Sequence, residues 1–227
     1  MRRRGHRPVP PVGRQVVMIF TDRAEAGHRL AEALKPLVGE EAVVLAIPRG
    51  GVEIGAEVAR AHGWPLDIVI PRKVRAPSNP ELGLGAIAPG VRVLDEAMVE
   101  GLGVTRQYLE REIAEQEEEI RRRQDAYRRG RPAEDLDGKV AIVVDDGVAT
   151  GGTAAAALRW ARAQGARRVV LAVPVGPREG LRRLEADADQ IVVLETPEPF
   201  FAVGQWYRDF PQTSDEEVVS LLESARP

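Results

Sequence analysis

The sequence predicts an α/β fold: a parallel sheet with helices on both faces. Three observations carry that expectation. Short runs at Val43–Ile47, Leu66–Ile70, Val140–Val144, Arg167–Val173 and Ile191–Leu194 are mostly apolar and rich in Val and Ile, as in strands buried on both faces. Segments of helical periodicity separate these runs, and strands that alternate with helices assemble into parallel sheets. The composition agrees, because 44% hydrophobic and 30% charged residues over 227 positions is a globular balance with chain enough for a sizeable core.

Taken in order, residues 1–15 hold Arg2, Arg3, Arg4, Arg7 and Arg14 among prolines and read as a solvated basic arm. The α/β core is expected over 16–195. Its first helix runs near Ala24–Leu37, with Ala26, Leu30, Ala33, Leu34 and Leu37 on one stripe. Val43–Ile47 as strand, Pro48-Arg-Gly-Gly51 as turn, Val52–His62 as helix and Leu66–Ile70 as strand make a βαβ unit. Arg72–Gly85, rich in Gly and Pro, is expected as a loop that leads into a hairpin of Ala86–Ala88 and Val91–Leu94. A helical insertion, about 95–131, then carries the most charged stretch, Thr105–Arg129.

Within that stretch Glu117/Arg121, Glu118/Arg122 and Glu119/Arg123 stand four apart with Glu first, the favourable order on a helix. It reads as a long solvated helix; the other reading lets Arg121–Arg123 reach a ligand or a neighbouring subunit. The second half repeats the alternation. Strand Val140–Val144 is followed by loop Asp145–Gly152, helix Thr153–Gln164, strand Arg167–Val173, a helix near Arg178–Asp187 and strand Ile191–Leu194. Past Thr196 come Phe200, Phe201, Trp206, Tyr207 and Phe210, then a short acidic helix near Ser214–Ser224. This segment, 196–227, is either a cap over the ligand edge of the sheet or a hydrophobic lid on the core.

Several classes drop out. There is no Cys, which removes disulfide scaffolds, thiolate metal sites and Cys nucleophiles, and His6, His28 and His62 are too scattered for a His-rich zinc site. A net charge of −3 without a basic stripe argues against nucleic acid as a partner. No apolar run approaches the roughly 18 residues of a membrane span, and the Arg-rich start lacks a signal-peptide apolar region, so no membrane partner and a cytoplasmic location are expected.

The chemistry concentrates at the end of one strand. In open parallel sheets ligands bind where strands end and helices begin, since helix amino ends present unpaired N–H groups and partial positive charge. There stand Asp145 and Asp146, followed by a loop in which Thr150, Gly151, Gly152 and Thr153 offer N–H groups and two hydroxyls with little bulk, as a phosphate cradle requires. Two carboxylates would repel a bare phosphate but accept hydrogen bonds from a vicinal diol. A sugar phosphate suits both halves. A Walker loop does not, because the Lys before Thr153 is absent, and a dinucleotide loop lacks its spaced glycines.

Val143-Val-Asp-Asp-Gly-Val-Ala-Thr-Gly-Gly-Thr153 resembles the signature of the type I phosphoribosyltransferases, enzymes that use phosphoribosyl pyrophosphate (PRPP), and its form is closest to the adenine-type members. Pro48-Arg-Gly-Gly51 resembles the family's pyrophosphate loop, and Arg72-Lys73 the basic position before its mobile loop. Residues 43–195 follow the family's order of elements, and the aromatic C-terminal segment resembles its hood.

That resemblance implies roles. Asp145 and Asp146 would hold the ribose hydroxyls, and Ala149, Thr150, Gly151, Gly152 and Thr153 the 5-phosphate. Arg49, Gly50 and Gly51, through a non-proline cis peptide, would meet the pyrophosphate, with Lys73 adding charge. Mg²⁺ is implied as cofactor, held mainly by PRPP and water rather than by the protein. Ala149 stands where several members carry an acid that meets the incoming base; Glu81 is a candidate base in its place, and Phe201, Trp206 or Tyr207 could stack on the acceptor. The expected activity is transfer of 5-phosphoribosyl from PRPP to a purine-like nucleobase with release of pyrophosphate, in nucleotide metabolism. The alternative is a PRPP-sensing regulatory protein without turnover. Pairing of subunits as a homodimer is implied by the family.

Overall fold

The structure, a computed structural model, describes residues 19–77 and 79–225. The basic arm over 1–15 lies outside the described residues, as does the side chain of Glu81. In chain order the elements are α1 (Arg23–Leu34), β1 (Ala42–Ala46), α2 (Gly50–His62), β2 (Leu66–Ile68), β3 (Arg72–Ala76), β4 (Asn79–Ala88), β5 (Val91–Leu94), α3 (Glu96–Gly101), α4 (Arg106–Arg128), β6 (Val140–Val144), α5 (Gly152–Ala163), β7 (Arg168–Val175), α6 (Arg178–Arg182), β8 (Gln190–Glu195) and α7 (Asp215–Ser224).

β2, β1, β6, β7 and β8 form one five-stranded sheet in that order, parallel throughout. Val43, Leu45, Ala141, Val143, Val169 and Leu171 point to the face covered by α5, while Val44, Val140, Ile142 and Val170 point to the face covered by α1 and α2. Every β6 residue is therefore buried, which is why the run reads as continuously apolar. From β1 the chain proceeds by α2 to β2 on one side; β6, β7 and β8 proceed on the other. The order reverses between β1 and β6, so the loops that leave these two strands flank a topological switch point, where doubly wound sheets open a ligand crevice.

The expectation of a loop over Arg72–Gly85 is corrected. β3 and β4 pair antiparallel across it, and with β5 they make a second, three-stranded sheet. The glycines and prolines sit at the turn and beside two register shifts at Val74/Arg75 and Arg75/Ala76, where bulges absorb them without ending the pairing. One face of this small sheet, with Ala86 and Ala88, packs on α5; the other, with Val74, Leu84 and Ile87, packs with Ile113, Ile120 and Tyr127 of α4 and Val218 of α7.

Nor is α4 simply solvated. Glu112, Ile113, Gln116, Ile120 and Tyr127 form a buried stripe, while the remaining surface carries ion pairs. Of the three pairs expected, Glu119–Arg123 forms; Arg121 and Arg122 reach one position less, to Glu118 and Glu119, and Glu117 is taken by Arg92 of β5. Two guanidiniums on Glu119 hold its carboxyl down to about 2. On α1 the buried stripe includes Arg23, Ala26, Leu30, Ala31 and Leu34, and Ala33 faces solvent instead.

Candidate functional site

β6 ends at Val144, and Asp145 and Asp146 follow at the switch point. The N–H of Asp146 donates to Asp145 Oδ1 at 2.8 Å, and Arg23 Nε donates to Asp146 Oδ2 at 3.0 Å. Among the described residues nothing donates to Asp145 Oδ2 or Asp146 Oδ1, so each acid keeps one free acceptor. Burial and the neighbouring Asp146 charge push the Asp145 carboxyl well above the usual carboxylate range. Burial pushes Asp146 the same way, against the pull of Arg23.

β1 lies beside β6, and the turn that follows it meets this pair. The Ile47 N–H donates to Val144 O at 2.8 Å, the Pro48–Arg49 peptide is cis, and Gly50 opens α2. Contact here is so close that a Cβ on Gly50 would stand 2.0 Å from Asp146 Oδ2, and one on Gly51 2.8 Å from Val144 O. The two motifs, almost a hundred residues apart in the chain, thus form one surface. Neither α2 nor α5 has a side chain capping its amino end, which leaves N–H donors of both helices directed at the same sheet edge. Gly151, at φ +87°, makes the turn into α5 that places Gly152 and Thr153 in its first turn. Val148 N–H to Val175 O at 2.9 Å ties the loop to β7, and Gly180 of α6 packs so tightly under it that a Cβ there would stand 2.3 Å from Ala149 O. Ala149 and Thr150 are left exposed at the rim.

An acid pair, a Gly-Gly turn and an uncapped Gly-Thr helix start meet at one switch point, and the family model for a phosphoribosyl transferase domain covers residues 22–207. The chain belongs to that family. Two curated proteins from strains of Mycobacterium tuberculosis, provisionally named phosphoribosyl transferases, are each 48% identical over 208 residues, covering 91% of this chain and 47% of their own length. The chain therefore spans about half the length of the curated relatives it matches. A crystal structure of a Thermus thermophilus protein aligns with a TM-score of 0.79 at 46% identity, over 92% of this chain and 100% of that one.

Not every expected site residue of this phosphoribosyl transferase domain joins the cluster. Lys73 and Arg72, adjacent in sequence, stand on opposite faces of the small sheet. Lys73 pairs across the strands with Ala86, on the α5 side, and is exposed, with its stem against Gly83; Arg72 pairs with Ile87, on the α4 side, and its Nε donates to Gln116 Oε1 at 3.0 Å. The Arg49 side chain turns toward Asp215 of α7, 3.7 Å away, whose Oδ1 also accepts the Tyr127 hydroxyl at 2.6 Å. Burial and that acid push the Tyr127 hydroxyl up to about 12.

The aromatic segment packs on the core and also touches the loop after β6. Tyr207 is buried beside Phe20 and Phe210, its ring 5.5 and 4.9 Å from theirs, while its hydroxyl donates to Asp146 O at 2.6 Å. Val203 presses on Gly147, and Phe201 stays 77% exposed. Sequence reasoning missed Arg23. Its signal was its place on the apolar stripe Arg23, Ala26, Leu30, Leu34, where a lone charge marks a buried ion pair. Among the described residues, no helix is long and apolar enough to cross a membrane, and no group of three or more His, Asp or Glu is disposed to hold a metal ion.

Proposed function

We propose that this domain transfers 5-phosphoribosyl from PRPP to a purine-like nitrogenous base with release of pyrophosphate. The observation that carries the reading is the closure of the Gly50–Gly51 turn onto the Asp145–Asp146 pair, a Cβ short of collision, beside the uncapped start of α5. Asp145 Oδ2 and Asp146 Oδ1, the unused acceptors, take the two ribose hydroxyls. The amino end of α5, with Gly152 and Thr153, takes the 5-phosphate, whose charge suits the helix dipole. N–H groups of the Gly-Gly turn meet the pyrophosphate, and Lys73 adds a positive charge from the α5 side of the small sheet.

In the reaction the base nitrogen forms a bond to the anomeric carbon as the bond to the pyrophosphate oxygen breaks, and that oxygen keeps the electron pair. Positive charge develops on the sugar ring next to the two carboxylates, and preorganised charges of this kind supply the largest part of such rate gains. The donor set fits Mg²⁺ carried on the substrate. Asp145, Asp146 and Glu53 face a single guanidinium, Arg23, so the cluster is net negative and disfavours a bare polyanion. Mg²⁺ carried in with the substrate would supply positive charge to offset that on the leaving group, while Asp145 and Asp146 hold the ribose hydroxyls.

Calorimetric titration with PRPP, with and without Mg²⁺, tests this on the wild type and on the double variant Asp145→Asn/Asp146→Asn. Metal-dependent binding that disappears in the variant is expected, with pyrophosphate release when purine bases are supplied. Undiminished affinity in the variant refutes the site. Binding without pyrophosphate release for any base supports the PRPP-sensing alternative instead.

A further inference from the structure

We propose that Arg23 is a positioning residue of this site: it orients the Asp146 carboxylate and keeps it ionised, and the Phe210–Pro211 turn holds Arg23 in its turn. The inference rests on the sugar-phosphate reading for its consequence in function, but not for its geometry.

Arg23 is the first residue of α1, fixed there by Asp22, whose Oδ1 accepts the Glu25 N–H at 2.8 Å. A cation at a helix amino end opposes the dipole, and this one is only 5% exposed, so its burial requires specific partners. Four are present. Nε donates to Asp146 Oδ2 at 3.0 Å, Nη1 to Pro211 O at 2.7 Å and to Glu53 Oε1 at 3.4 Å, and the Phe210 ring lies 3.8 Å from the guanidinium carbon. Glu53 is itself held by the Thr213 hydroxyl. The guanidinium thus joins the start of α1, the first turn of α2, the end of β6 and the C-terminal segment at one point.

Two features distinguish this from a core staple. Arg23 engages Asp146 through one oxygen only and leaves the other without a donor among the described residues, whereas a fork-to-fork pair would consume both. The space for a Gly50 side chain is also filled by the pair itself, Asp146 Oδ2 at 2.0 Å and Arg23 Nε at 2.7 Å, so the pyrophosphate turn is shaped around it. The groups facing Asp146 are Arg23 from α1, Glu53 from α2, Asp145 beside it and Tyr207 from the C-terminal segment. Arg23 is the cation among them, opposed by burial and two carboxylates. Without it the Asp146 carboxyl takes up a proton at higher pH and loses the charge that makes it a strong acceptor.

The test is a carboxyl-carbon NMR titration of Asp146 in the free protein for wild type, Arg23→Gln, Arg23→Lys and Phe210→Leu, with Mg²⁺–PRPP calorimetry over the same pH range. An opposite charge this close moves a carboxyl by about one to three pH units, so the Asp146 midpoint is expected to rise by at least about one unit in Arg23→Gln. Recovery in part in Arg23→Lys and a smaller rise in Phe210→Leu are expected. PRPP affinity should be lost at a correspondingly higher pH. An Asp146 midpoint unmoved in Arg23→Gln overturns the proposal; should that variant not fold, unmoved midpoints in both Arg23→Lys and Phe210→Leu overturn it. Absence of PRPP binding by the wild type defeats the functional reading, while the ligand-free titration still decides the role of Arg23.

Discussion

Replacing Gly50 by Ala asks whether the Gly-Gly turn and the acid pair are one site. The added Cβ would stand 2.0 Å from Asp146 Oδ2, and ordinary contact begins at 3.4 Å, so a displacement of about 1.4 Å must be absorbed. Neither neighbour yields easily. Asp146 has a single methylene between backbone and carboxylate, and Arg23 is buried and bonded to Pro211 and Glu53 as well. Retreat of the carboxylate breaks the 3.0 Å contact with Arg23 and withdraws an acceptor from the crevice. Overpacking of this kind costs about 1–3 kcal/mol, which for a chain of this size lowers Tm by roughly 2–12 °C. Loss of one charge-assisted hydrogen bond, about 1.5–3 kcal/mol, weakens PRPP binding by roughly 10- to 150-fold. Thermal unfolding followed by circular dichroism reads the first quantity and calorimetry with Mg²⁺–PRPP the second. A Gly50→Ala variant with unchanged Tm and unchanged affinity would refute the reasoning at its base.

Three further outcomes are expected. Gly152→Ala adds a methyl that meets nothing within 4 Å in the free protein, so it should stabilise α5 by up to about 1 kcal/mol yet weaken PRPP binding; stability and affinity moving together contradicts the phosphate position. Asp145→Asn should raise stability at neutral pH by about 0.5–2 kcal/mol. Because the folded state raises the Asp145 carboxyl above its unfolded value, the wild type is penalised above that raised midpoint and not below the unfolded one near pH 4, so the gain must vanish in acid melts. Arg128→Met strands Asp67, a buried acid held by Arg128 Nε and Nη2 at 3.0 Å each, and should cost about 3–5 kcal/mol in denaturant titrations with PRPP affinity of the folded fraction unchanged.

Much of the frame was legible in local pattern. β6 occupies the residues its apolar run marks, because a strand covered on both faces has no polar side to interrupt it. The acid pair and Gly-Thr loop, and the Gly-Gly turn, were legible because each is a contiguous stretch whose composition states its local chemistry. β3 was not, since Gly and Pro signal the end of pairing while bulges let pairing continue. The two-sidedness of Arg72 and Lys73 was hidden for the same reason: side-chain direction on a strand has no meaning until the strand is recognised.

By itself, then, the sequence determined the alternation of buried strands and helices and the two glycine-rich loops at strand ends, because hydrophobic period and backbone preference act over a few residues. Only the tertiary structure decided that these loops meet. Adjacency of β1 and β6 is set by the strand order around a switch point, to which residues far apart in the chain contribute. The same holds for Arg23 and Asp146, 123 positions apart, and for Tyr207 beneath the acid pair. Which buried charge finds which partner depends on how helices seat on the sheet, since the cost of burying an unpaired charge is settled only when the last of its neighbours is in place.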